Sequence, residues 1–133
     1  MGRILTLTPP QEGMSAIVNV LGRVGPNEPN NSDDVRVVQQ LLQLGARGST
    51  IAGLGLPQPT GRFDAATGFW IFYMQNFRQA RHSAQVVDGV VSPAHGFGYN
   101  PAGGIWTIVL FNFYAKSHSP VDYAAFLANP ANT

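Results

Sequence analysis

Gln75, Asn76, Arg78 and Gln79 crowd three amides and a guanidinium into one short run of a 133-residue chain that carries few other charges. Amides exchange hydrogen bonds with hydroxyl and acetamide groups, and an arginine fork grips a carboxylate. With Arg62 and Tyr99 on flanking turns, these residues are the expected ligand contacts. The chemistry they suit is a sugar or a short peptide.

Nothing comparable points to catalysis. His82, His95 and His118 lie far apart, and none falls in an H-E-x-x-H or similar metal spacing. The stretch "SPAHG", Ser92 to Gly96, has a histidine but no acidic ligand at a useful distance. Most acids sit where caps and turns use them, leaving Glu12, Glu28 and Asp122, which nothing in the sequence places together. A glycosidase needs two free carboxyl groups on opposite sides of a sugar. There is no G-x-S-x-G elbow, and "AGLGLPQ" lacks the lysine and helix of a phosphate loop. The expectation is a protein that is not an enzyme, with no cofactor and no metal.

Composition narrows the partners. The net charge is +1, so no electrostatic hold on nucleic acid is expected. The charged fraction is 11%, against about 25% in ordinary domains. Glycine, proline, amides and hydroxyls supply the remaining polarity, which suits carbohydrate contact or burial in an assembly. Cysteine is absent, which excludes disulfides and thiolate metal sites. The longest apolar run, Ile105 to Ala115, is too short to span a bilayer. "MGRILTLTPPQEG" has no apolar signal core and reaches Pro9-Pro10 early. Synthesis in the cytoplasm is expected, with delivery to the envelope, a virion or a secretion particle by other means.

The elements that must position the polar run follow from periodicity. Residues 1–33 read as an N-terminal arm and loop, with a short strand in "SAIVNVL", Ser15 to Leu21. A helix starts after Ser32 or Asp33, either of which can cap it, and Asp34 suits its positive end. Val35, Val38, Leu41, Leu42 and Leu44 form its apolar stripe, and Gly45 is expected to end it. The second helix opens at "TGRFDAAT" with Asp64 as cap. Steps of 100° per residue gather Phe69, Trp70, Tyr73, Met74 and Phe77 into its core sector and turn Ile71 and Phe72 outward. Those two are expected to meet the arm or another subunit. "VVDGVVSP" holds a tight turn at Asp88-Gly89. "IWTIVLFNFYAKS" reads as a helix buried on several faces, and "SPVDYAAFLAN" as a short closing helix with Pro120 in its first turn.

In order, these pieces carry D-V-x-x-V-Q-x-x-L at Asp34, Val35, Val38, Gln39 and Leu42, then G-x-F-D-x-x-T at Gly61, Phe63, Asp64 and Thr67. D-G-x-V-x-P follows at Asp88, Gly89, Val91 and Pro93, and W-x-x-x-L at Trp106 and Leu110. Over Asp33 to Leu110 the chain resembles the peptidoglycan-binding module found beside bacterial wall hydrolases and in phage and secretion-system proteins. The resemblance implies a mainly α fold: a three-helix bundle over residues 34–117, a strand-like arm before it, and a short C-terminal helix within residues 118–133. It implies non-catalytic binding of peptidoglycan glycan or stem peptide. The alternative is a structural or adaptor subunit of a phage, tail-like or secretion assembly that packs through Ile71, Phe72 and the arm. In either case the motif residues form the fold before they touch any ligand.

Overall fold

Leucine and threonine alternate from Leu5 to Thr8, so one side of that segment is apolar and the other polar, as in a strand with one face on a core. In the computed structural model, which describes residues 4–47, 55–95 and 104–130, this segment lies in β1 (Ile4–Gln11). It pairs antiparallel with β2 (Met14–Val18), Leu5 opposite Ile17 and Gln11 opposite Met14. Glu12 and Gly13 form the turn, with φ of 51° and 74°, a two-residue reversal that matches the twist of the strands. Four helices follow among the described residues: α1 (Ser32–Gly45), α2 (Ala65–Gln79), α3 (Thr107–His118) and α4 (Pro120–Ala128).

The expectation of a three-helix bundle with a strand-like arm is overturned by this arrangement. The N-terminal segment is a paired hairpin, and its Leu7, Met14, Ile17 and Val18 enter the same core as the helices. α1 lies along α3, whereas α2 meets α1 at few points and packs its inner face on turns. Helix-on-helix burial therefore supplies only part of the core. Gly45 does not end α1 in a left-handed turn either. It is the last residue of the helix, and a Cβ there would stand 3.0 Å from the Cβ of Tyr114, so it permits close approach to α3.

Two buried glutamines explain why turns can serve as packing surfaces. Gln39 Oε1 accepts from Gly61 N at 2.9 Å, while its Nε2 donates to Arg62 O and Thr67 Oγ1, both at 3.0 Å. Gln75 repeats this set. Its Oε1 accepts from Gly89 N at 2.9 Å, and its Nε2 donates to Val90 O at 3.1 Å and Thr107 Oγ1 at 3.0 Å. Each amide thus joins its own helix, a glycine turn and the first turn of the next helix. Gly61 and Gly89 sit at φ 79° and 74°, a region costly for residues with a Cβ. Asp64 caps α2 by accepting from Thr67 N at 2.8 Å and Thr67 Oγ1 at 2.6 Å. The hydroxyl bond does most to hold its carboxyl below the usual aspartate range.

A third buried amide ties in the hairpin. Asn112 Oδ1 accepts from Val18 N at 2.9 Å and from Tyr123 Oη at 2.6 Å. Its Nδ2 donates to Val18 O at 2.9 Å and Ile108 O at 2.8 Å. β2, α3 and α4 therefore meet at one side chain. Asp34 fixes the segment between β2 and α1, since its carboxylate accepts from Leu21 N and Gly22 N, each at 2.9 Å. Val24 and Val91 bridge that segment to the Gly89 turn. Ser119 stands at the N-cap of α4 without a side-chain cap bond; its Oγ donates to Leu44 O at 2.8 Å and anchors the α3–α4 junction to α1.

These bonds also set the rotation of α2. Thr67 and Gln75 must face inward, and Trp70, Ile71 and Met74 share their side of the helix. Ile71 is 0% exposed, so its expected outward position is corrected. Phe69 and Phe77, expected in the core, are 48% and 39% exposed, and Phe72 is 51% exposed.

Replacing Gln75 with Met keeps the volume but strands the Gly89 amide and its neighbours. Urea denaturation should show a loss of about 2–4 kcal/mol, whereas Asn76→Ala, whose side chain bonds only Phe72 O, should stay within about 0.5 kcal/mol. Burial pushes the Tyr123 phenol well above the ordinary tyrosine value. An unfolded tyrosine ionises near pH ~10 while the folded one stays protonated, so its contribution is intact below that pH and declines above it. The denaturation midpoint should fall as pH rises past about 10, and more shallowly in Tyr123→Phe.

Candidate functional site

The last turn of α2 presents Arg78 and Gln79 where the hairpin tip and the segment before α3 converge. Between them lies an open cleft of about 530 Å³, lined by Glu12, Arg78, Arg81, His82, Ser83–Gln85, Gly104 and Ile105. Past the end of helix α2, Ala80 N and His82 N still donate to Asn76 O and Arg78 O, and the chain then turns back towards the Gly89 turn.

Arg78 is the best-held cation of this cleft. Its Nη2 donates to Glu12 Oε1 at 2.9 Å, which pins the hairpin tip to α2. Lys116 Nζ donates to Gly13 O at 2.9 Å and pins the same tip to α3. Arg78 Nε is buried with no hydrogen-bond partner. Arg81 lies 4.1 Å above the Phe77 ring, a cation–π contact that leaves its polar edge exposed. Burial raises the Tyr114 phenol above its usual value, although Arg78 and Arg81 beside it pull the other way.

Gln85 forms the floor. It is 3% exposed, and its Nε2 donates to Val86 O at 3.1 Å while its Oε1 has no partner. A buried acceptor left unpaired costs stability unless something supplies a donor. Arg78 and Gln85 both line the cleft, and the unpaired atom of each is buried.

The six residues expected to contact ligand scatter. Arg78 lines the cleft, and Gln79 stands beside it, its Nε2 donating to Gln85 O at 3.0 Å. Gln75 is buried and spent on the Gly89 turn, so it is not a surface contact. Asn76 is exposed but bonds back to Phe72 O, and Arg62 is exposed at the Gly61 turn. Tyr99 lies outside the described residues, as do the glycine-rich stretches 48–54 and 96–103. Of the motif residues, Phe63 packs partly buried on the core, Pro93 is half-buried, and Trp106 meets His95 edge-on at 5.3 Å. Asp88 Oδ1 accepts from Val90 N at 3.0 Å and steadies its own turn.

Glu12, Arg81, His82 and Gln85 had no place among the expected contacts. Glu12 was legible in principle: Glu-Gly between two apolar strands marks a hairpin tip. Gln85 carries no local signal, because its role arises only where three distant segments meet. Two of the three unplaced acids part company: Glu12 pairs with Arg78, while Asp122 pairs with Arg47 on the surface.

A partly buried charge pair is worth more than an exposed one but still responds to salt. Glu12→Gln should lower stability by about 1 kcal/mol in dilute buffer, and the gap to the parent should narrow in 1 M salt. Thermal denaturation at two ionic strengths reads both effects.

No helix among the described residues is long and apolar enough to cross a membrane. Comparison of the chain with protein-family models, with curated proteins and with solved structures gives no match.

Proposed function

We propose that this protein is a non-catalytic module that binds peptidoglycan. The observation that carries the reading is the open cleft at the end of α2, where Arg78 and Arg81 line the same opening as Gln85. Open to solvent and lined about equally by polar and apolar surface, it suits part of a polymer rather than an enclosed small molecule. The motif order from Asp34 to Leu110 supports the choice of polymer by resemblance. Gln39 and Gln75 give that order a physical basis, since each motif glycine is held by a motif glutamine or its repeat.

A second reading draws on a different face. Phe69, Tyr73 and Phe77 run along α2 at four-residue spacing, with Phe69 and Tyr73 stacked at 6.1 Å, and Phe72 is exposed beside them. An aromatic row of this kind favours a packing block in a phage, tail-like or secretion assembly.

Co-sedimentation with insoluble peptidoglycan sacculi, alongside the solution mass, separates the two. Retention of a monomer, reduced at least tenfold by Arg78→Met in a variant that still folds, is the expected result. A protein that stays in the supernatant and sediments as several copies, and that becomes monomeric on Phe72→Ser, would refute wall binding and leave the assembly role.

A further inference from the structure

We propose that Asp88-Gly89 is a latent modification site: a bond that rearranges to isoaspartate once its turn opens, and that Gln75 keeps closed in the folded chain. The proposal goes beyond ligand binding and does not depend on it.

The chemistry needs only the chain and water. A glycine N–H after an aspartate is unhindered, so its nitrogen can attack the side-chain carboxyl carbon. A bond forms between Gly89 N and Asp88 Cγ, a Cγ–O bond breaks, and the nitrogen's proton leaves with the carboxyl OH as water. The five-membered imide then takes up water at either carbonyl. Opening at Cγ restores aspartate. Opening at the Asp88 main-chain carbonyl leaves the chain running through Cγ, one carbon longer. Asp88-Gly89 is the single Asp-Gly pair of the sequence, and there is no Asn-Gly.

In the fold both reacting groups are held. Gly89 N is buried and donates to Gln75 Oε1 at 2.9 Å. Asp88 is exposed to water, yet its Oδ1 accepts from Val90 N at 3.0 Å and from Gln75 Nε2 at 3.2 Å. One amide therefore grips the nucleophile and the carboxyl group it would attack. The far side of the turn is fixed as well. Val24 and Val91 exchange backbone bonds at 3.0 and 2.8 Å, and a Cβ on Gly25 would stand 2.8 Å from Gly89 O. The Gly89 peptide has little room to swing towards Cγ.

The first turn supplies an internal comparison. Gly61 N donates to Gln39 Oε1 at 2.9 Å, while Thr60 Oγ1 accepts from Arg62 N at 3.2 Å and from Gln39 Nε2 at 3.4 Å. Thr60 thus does for Gly61 what Asp88 does for Gly89, with a hydroxyl that cannot form an imide. The hydrogen bonding of the turn does not demand the reactive carboxyl. An added carbon, by contrast, moves Asp88 away from Gly89, so Gln75 can no longer hold both and its bond to Thr107 is disturbed with them. Time spent unfolded is recorded as a permanent loss of the native turn.

The test ages the full chain in native buffer and in guanidinium chloride, digests it, and reads isoaspartate at position 88 by fragmentation that distinguishes the longer linkage. The native chain should accumulate it at least tenfold more slowly than the denatured one, because reaction requires the turn to open. Gln75→Met, kept where circular dichroism shows it folded, should lose most of this protection. Asp88→Thr, patterned on Thr60, should keep the parent's denaturation midpoint and form none. The separated isoaspartate form should have a lower midpoint than the parent. Should Gln75→Met not fold, hydrogen exchange of the Gly89 amide in the parent replaces it, and that N–H should be among the slowest of the chain. Equal rates in native and denatured chains, a folded Gln75→Met as slow as the parent, or fast Gly89 exchange beside slow rearrangement would overturn the proposal.

Discussion

A buried primary amide has one carbonyl and two N–H bonds to satisfy, and in this protein that demand organises the fold. Gln39 and Gln75 meet it in the same way, each spending its oxygen on a glycine N–H and its nitrogen on the next carbonyl and on a threonine hydroxyl. The polar atoms of a tight turn are thereby drawn inside, where they would otherwise be costly. A turn paired in this way can be packed against like an apolar surface. That is why α2 can lie on the Gly89 turn and contribute little to helix-on-helix contact.

Asn112 extends the same economy to the N-terminal hairpin and to α4. It replaces a missing neighbour strand for Val18, taking both its N–H and its carbonyl, and closes the set with the Tyr123 hydroxyl. Asn19 does the same on a smaller scale for the backbone of Ala94. Polar side chains, rather than further strands, thus terminate the two-stranded sheet. The apolar residues fill the space these bonds define. Substituting any one of the three amides would disturb several elements at once, because each bridges three segments of the fold.

Much of this was legible in the sequence. The 3.6-residue period of Val35, Val38 and Leu42 marks α1, and Asp64 three residues before Thr67 marks the start of α2. The rotation of α2 was misread because hydrophobicity was followed and the amides were treated as surface. Aligning Val35, Val38 and Gln39 with Ile71, Met74 and Gln75 recovers the buried face at once, since all three pairs lie 36 residues apart. The hairpin was obscured by Pro9-Pro10 inside β1, which lies where the strand register shifts. The cleft was the least legible feature. Arg78 was picked out by its chemistry, but its partners come from positions 12, 85 and 105, and only the assembled fold brings them together.

The reach of these bonds also orders events during synthesis. Gln39 to Gly61 and Gln75 to Gly89 span 22 and 14 residues, so each turn can be locked soon after it leaves the ribosome. Val18 must wait 94 residues for Asn112. The hairpin therefore completes its docking late, after Ile17 and Val18 have waited for α3 to be made. Its companion strand is what they have in the meantime: pairing β1 to β2 satisfies the outer backbone edge locally and leaves a single apolar face to be shielded until α3 arrives.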